Sequence, residues 1–132
     1  METSRLAAIP LFADLKETDL AMIAAAAREV EVDTGHTLVT EGQFGHALFA
    51  VESGTATVTV VGQKRGTLGP GDVFGEIAVI AAGHRTASVV ATSPMRLIAL
   101  FKPDLWALER SAPEATERFR ALISERRASD ET

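Results

Sequence analysis

The 132 residues include 13 Lys and Arg against 18 Asp and Glu, a formal charge of −5, with 46% hydrophobic residues, 23% charged residues and no cysteine. This is enough chain for one buried core and too little for two domains, and the balance is that of a soluble globular protein. It excludes disulfide scaffolds, thiolate metal sites and cysteine nucleophiles, and the acidic balance argues against nucleic acid as a partner of this chain alone, because that affinity comes mostly from Lys and Arg on phosphates.

Residues 1–28 read as helical. Asp14-x-x-Glu17 has the form of a capping box, with Leu20, Ile23, Ala24 and Ala27 following at helical spacing. Leu11 and Phe12 precede it and can pack the helix onto an apolar surface. Residues 29–102 read as strands and turns. Glu29 to Val32 alternates, and His36 to Thr40 is short and β-branched. Ala47 to Val51 is a buried-strand run, and Thr55 to Val61 alternates again. Ser88 to Thr92 and Arg96 to Phe101 complete the set. Glycines at 35, 42, 45, 54, 62, 66, 69, 71 and 75 punctuate these segments as turn residues. Many short strands at near-regular spacing predict a mostly β fold, a double-sheet jelly-roll β-barrel with flanking N- and C-terminal helices.

Residues 103–127 return to helix. Pro103 can start one, with Leu105, Trp106 and Leu108 as packing residues. Ser111-x-x-Glu114 starts another, with Ala115, Phe119, Leu122 and Ile123 on one face. Arg118, Arg120, Arg126 and Arg127 alternate with Glu114, Glu117 and Glu125, the pattern of a solvated helix face. No apolar run reaches the length that spans a bilayer, and the N-terminus has no signal-peptide pattern, so a cytoplasmic protein without membrane contact is expected.

The most informative stretch runs from Phe74 to Val89. Gly75 and Glu76 stand at the start of a short apolar segment with Ile77, Ala78 and Val79. Nine residues after the carboxylate come Arg85, Thr86 and Ala87, opening a β-branched strand. The arrangement suits a small ligand with a phosphate at one end and a hydroxyl near it. Glu76 can accept a hydrogen bond from a sugar hydroxyl, and the planar fork of Arg85 matches phosphate oxygens. Amides at a helix N-terminus add donors and a favourable dipole. The alternative is that Arg85 pairs with Glu76 and leaves the pocket empty. His36, His46 and His84 are scattered with no carboxylate cluster at ligand spacing, so no metal is expected. The Gly69-Pro70-Gly71-Asp72 run lacks the lysine and hydroxyl of a P-loop. No catalytic constellation is present; Ser88 has no nucleophile context.

This stretch resembles the phosphate-binding cassette of cyclic-nucleotide-binding domains, whose pattern is F-G-E-hydrophobic-small-hydrophobic followed by P-R-small-A. Phe74 to Val79 and Arg85 to Ala87 carry the match; His84 stands where proline is usual. The resemblance extends along the chain. Asp33 to Gly42 matches the family's G-x-x-hydrophobic-x-x-x-G turn and strand. Phe49 to Gly54 matches its strand ending in a glycine turn, and Leu68 to Glu76 its L-x-x-G-D-x-F-G-E lead-in.

The resemblance implies a single domain over 1–132 with the cassette at 74–89. In it Glu76 would accept from the ribose 2′-hydroxyl and Arg85 would pair with the exocyclic oxygens of the cyclic phosphate. Thr86 and the amides of Ala87, Gly75, Ile77 and Ala78 would add donors. Val58, Phe74 and Val89 would wall the base, with Leu68 less central; Arg65 would reach the base or the solvent. The implied ligand is cyclic AMP, with cyclic GMP compatible with Thr86; no cofactor is implied. Ligand capture would move the C-terminal helices about a hinge near Phe101-Lys102-Pro103. The helix face then serves the barrel, a second copy in a homodimer, or a protein effector. Two rival readings are an interaction module of the same fold that binds no ligand and the regulatory part of a DNA-binding transcription regulator. For Trp106 the expectation is packing of its helix on the barrel.

Overall fold

The computed structural model describes residues 1–13, 15–42, 47–75, 87–111, 113–114, 117 and 121. At the N-terminus, α1 (Thr3–Ala7), a 3-10 turn (Pro10–Phe12) and α2 (Glu17–Ala26) precede the strands. The start of α2 differs from the expected capping box. Lys16 is its N-cap and makes no side-chain cap bond, so Glu17 is the first helical residue rather than the third. There its charge meets the positive end of the helix, and its carboxylate accepts a hydrogen bond from Thr3 Oγ1 at 2.9 Å. Asp14 lies outside the described residues.

Two four-stranded antiparallel sheets follow. Their strands are β1 (Arg28–Val32), β2 (Thr37–Val39), β3 (Ala47–Ser53), β4 (Ala56–Val60), β5 (Gln63–Leu68), β6 (Val73–Phe74), β7 (Ser88–Ala91) and β8 (Met95–Phe101). Sheet I has the order β1-β8-β3-β6 and sheet II the order β2-β7-β4-β5. A helix, α3 (Lys102–Ser111), leaves β8 with no intervening loop. Pro103 sits in its first turn, where a missing N–H costs nothing, and Asp104 Oδ2 accepts the Phe101 N–H at 3.3 Å.

Side-chain alternation explains why sheet I is so apolar. On β8, Ile98 and Leu100 join Leu48 and Ala50 of β3 and Val73 of β6 under Leu6, Ile9, Phe12, Leu20, Ile23 and Ala24 of the N-terminal helices. The opposite faces of the same strands present Met95, Leu97, Val51 and Phe74 to Val39, Ala56, Val89 and Ala91 of sheet II and its flanks. Sheet I is therefore covered on both sides, and β3 and β8 read as continuous apolar runs rather than alternating ones. Sheet II is half-buried: β4 alternates in residue type, with Ala56 buried and Thr57 to Val60 all half-buried.

Arg5 fastens α1 across sheet I. Its Nε donates to Glu52 Oε2 at 2.9 Å, and its remaining nitrogens pair with Glu52 Oε1 and with Glu29. These bonds, first to Glu52 and then to Glu29, raise the pKa of a guanidinium already charged at every accessible pH. Glu29 is on β1 and Glu52 on β3, so the clamp spans the central strand β8. By contrast, the Glu31–Arg96 pair across β1 and β8, at 3.1 Å and exposed on both sides, contributes little.

Two turns carry local strain or tight contact. Between β4 and β5, Val61 and Gly62 both have positive φ, +51° and +74°, as a two-residue type I′ hairpin requires. A β-branched residue there is an outlier, costing roughly 1–2 kcal/mol, and Val61 is also 82% exposed. Between β3 and β4, Gly54 has φ +90°, and a Cβ at that position would stand 2.3 Å from the Pro94 carbonyl oxygen.

Trp106 corrects an expectation. It is 56% exposed, so most of its ring faces away from the barrel, although α3 as a whole lies near α2 and β8.

Candidate nucleotide site

The lead-in to the cassette is built by β3. The N–H of Val51 donates to the Asp72 carbonyl and its own carbonyl accepts from Gly71 N–H, each at 2.9 Å. Asp72 closes the turn by accepting the Gly69 N–H on Oδ2 at 2.8 Å. A turn pinned at both ends fixes the register of β6, in which Val73 pairs with Ala50 and Phe74 with Phe49. The Phe74 ring stacks on Phe49 with centroids 5.2 Å apart and planes at 23°. Phe74 is 6% exposed and points between the sheets.

Val58 and Val89 face each other in register on β4 and β7. Val89 is 3% exposed, Val58 half-buried, and both belong to the same inter-sheet cluster as Phe74; Leu68 is packed on its edge. The structure thus brings together all four apolar residues that the sequence nominated for the base wall. Gly75, at φ +81°, turns the chain out of β6, and half-buried Ala87 feeds it into β7. These two residues bracket the chain where it passes from sheet I to sheet II. Glu76, Ile77, Ala78, Arg85 and Thr86 lie in residues 76–86, outside the described residues.

Two polar residues at the entry to β7 escaped the sequence reading. Ser88 Oγ accepts the Glu41 N–H at 2.9 Å, and Glu41 Oε2 accepts the Val61 N–H at 3.0 Å. The only hint was the position of Glu41 before a turn glycine; its partners are 47 and 20 residues away. Arg65 is exposed and falls at a β-bulge in the β4–β5 pairing, opposite Val58 and Thr59. A groove of about 500 Å³ lies apart from this site, between α1 and the turn at 69–72; its Arg5 is already committed to Glu29 and Glu52. Among the described residues no cluster of His, Asp and Glu could hold a metal, and no helix is long and apolar enough to cross a membrane.

Comparison with known proteins agrees with this architecture. The family model of the cyclic nucleotide-binding domain matches residues 29–111. A cyclic nucleotide-gated potassium channel of Rhizobium etli is 34% identical over 122 residues, 92% of this chain and 34% of the channel. A cAMP-dependent protein kinase regulatory subunit of Yarrowia lipolytica is 34% identical over 100 residues, 76% of this chain and 24% of the subunit. The crystal structure of Thermus thermophilus catabolite activator protein superposes with a TM-score of 0.79 at 33% identity, covering 92% of this chain and 60% of that one. The chain thus spans about a third of the channel and about a quarter of the kinase subunit. With two antiparallel sheets in jelly-roll arrangement, a pinned lead-in to Phe74 and an extended family match, the chain belongs to the cyclic nucleotide-binding domain family.

Proposed function

We propose that this domain is a sensor that captures a cyclic nucleotide, cyclic AMP in preference to cyclic GMP, and passes the binding event to its C-terminal helices. One observation carries the reading. Val58, Phe74 and Val89 share one apolar cluster, while Gly75 and Ala87 bracket the segment bearing Glu76 and Arg85. Apolar walls with a few convergent polar groups are the usual form of a small-molecule site. Glu76 takes the ribose hydroxyl, and Arg85 with Thr86 takes the cyclic phosphate. Amides of Gly75, Ile77, Ala78 and Ala87 complete the cradle. Binding is the activity; no bond is made or broken, and no cofactor takes part. On this reading residues 1–132 work as one unit in the cytoplasm. The preference for adenine rests on family membership alone.

Calorimetric titration with both nucleotides tests the first half. Heat and a raised unfolding midpoint are expected with cyclic AMP, because a ligand that binds only the folded state stabilises it. No heat and no thermal shift with either nucleotide favours the interaction-module reading. The second half turns on the joint at Phe101, Lys102 and Pro103, where a strand becomes a helix without slack. A ligand can bias such an element only if the element has two arrangements. Hydrogen exchange with and without cyclic AMP is expected to change over residues 103–127; unchanged protection there rejects the coupling.

A further inference from the structure

We infer that Glu41 is a positioning residue for the nucleotide site: its backbone N–H holds the entry of β7, and its side chain ties that piece of backbone to the β4–β5 turn. This rests on the nucleotide-binding reading above. Three pieces of chain meet at the end of β7 nearest the cassette: the segment leaving β2, the β4–β5 turn, and Ser88 itself. Glu41 touches all three. Its N–H donates to Ser88 Oγ, and its carboxylate accepts the Val61 N–H. On the other side Ser88 is paired in register with Thr59 of β4. The first residue of β7 is therefore held on both flanks.

What Glu41 positions follows from the chain order. Ala87, one residue before Ser88, supplies an amide to the proposed phosphate cradle. Val89, one residue after, is the buried wall residue, flanked by Val39 of β2 and Val58 of β4. Both take their place from Ser88. The carboxylate anchors to a turn that is itself unusual, because Val61 is held at positive φ. In the type I′ hairpin the amide of the first loop residue has no place in the strand ladder, so the side chain of Glu41 gives it an acceptor. Losing that bond frees the turn and the Glu41 backbone together, and with them the strap on β7.

The test measures the Kd for cyclic AMP, the unfolding midpoint, and the backbone amide signals of Ala87 and Val89 without ligand. The variants are Glu41→Ala, Glu41→Asp, Glu41→Gln and Ser88→Ala. Glu41→Asp keeps the charge and shortens the reach by one methylene, so it reports even if the alanine variant folds poorly. Glu41→Ala, Glu41→Asp and Ser88→Ala are expected to weaken binding about tenfold each, with shifted Ala87 signals. Glu41→Gln keeps an oxygen for the Val61 N–H and is expected within about twofold of wild type. A wild-type Kd in Glu41→Ala and Glu41→Asp, whatever their midpoints, overturns the positioning role alone. A glutamine variant as weak as the alanine variant also overturns it, because charge and not the strap would then matter. A wild type that binds neither nucleotide overturns the binding reading, and the positioning role falls with it.

Discussion

Arg85→Ala is expected to weaken cyclic-nucleotide binding by a factor on the order of 100 or more while leaving the unfolding midpoint of the free protein nearly unchanged. A well-made hydrogen bond to a charged group contributes about 1.5–3 kcal/mol. The cyclic phosphate carries one negative charge, and Arg85 is the one cation in the cassette, so its removal also strands an anion inside the site. Lysine at the same position keeps the charge and loses the fork; Arg85→Lys should fall between wild type and alanine. Titration of the three proteins with cyclic AMP decides. A change below about threefold in Arg85→Ala, less than a single neutral hydrogen bond is worth, means that the phosphate is held elsewhere and the proposed site is wrong.

Gly54→Ala is the largest expected loss of stability. Gly54 follows β3, where the chain leaves sheet I for sheet II. Opposite it, residues 92–94 carry the chain back from sheet II to sheet I. The two crossings are laced together. Thr92 N–H donates to the Thr55 carbonyl and Thr55 N–H to Ser93 Oγ, each at 2.9 Å, and the hydroxyls of Thr55 and Thr92 share a bond of 2.8 Å. A methyl group on Gly54 would meet the Pro94 carbonyl at 2.3 Å and Met95 Cα at 2.9 Å. These are backbone atoms that cannot rotate away. The left-handed φ adds roughly 1–2 kcal/mol for any residue with a Cβ, and forced overpacking adds typically 1–3 kcal/mol. The sum is about 3 kcal/mol, a fall of order 10 °C in Tm for a domain of this size. Gly66→Ala is the control. It sits on β5 with nothing within 4 Å of a Cβ and no positive φ, so it should shift Tm by no more than about 2 °C. Equal effects from the two substitutions would refute the argument from close approach.

The strands that could be read from the sequence are those whose burial imposes a pattern. β1 alternates because one face is wet, and β4 alternates in residue type on a half-buried sheet. Ala47 to Val51 of β3 and Leu97 to Phe101 of β8 are unbroken apolar runs because helices cover one face of sheet I and sheet II the other. β5 was reached only through the resemblance, which puts Arg65 on a strand, and not through any pattern, for the converse reason. Its Gln-Lys-Arg-Gly-Thr-Leu sequence lies on the edge of sheet II with only Gly66 and Leu68 half-buried, so no apolar period marks it, and its pairing comes from the Val61–Gly62 turn. β6 is two residues long, too short for any period. Glu17 has the residue type of a capping box but stands at the first position of its helix, where its carboxylate accepts from Thr3 instead of reaching back to an N-cap. The clustering of Val58, Phe74 and Val89 was legible because they occupy motif positions that hydrophobic packing must gather in one core. Glu41 and Ser88 were not, because hydrogen bonds between distant turns leave no local trace.

The double covering of sheet I bears on where this protein can be divided. The span matched by the family model begins at residue 29, after both N-terminal helices. Cutting there would strip the lid from Leu48, Ala50, Val73, Ile98 and Leu100 and leave a greasy, strand-edged slab open to self-association. Among the described residues, the first 26 thus supply six of the eleven buried residues of the cluster on that side of sheet I, and the smallest unit that keeps it closed is larger than the region by which the family is recognised.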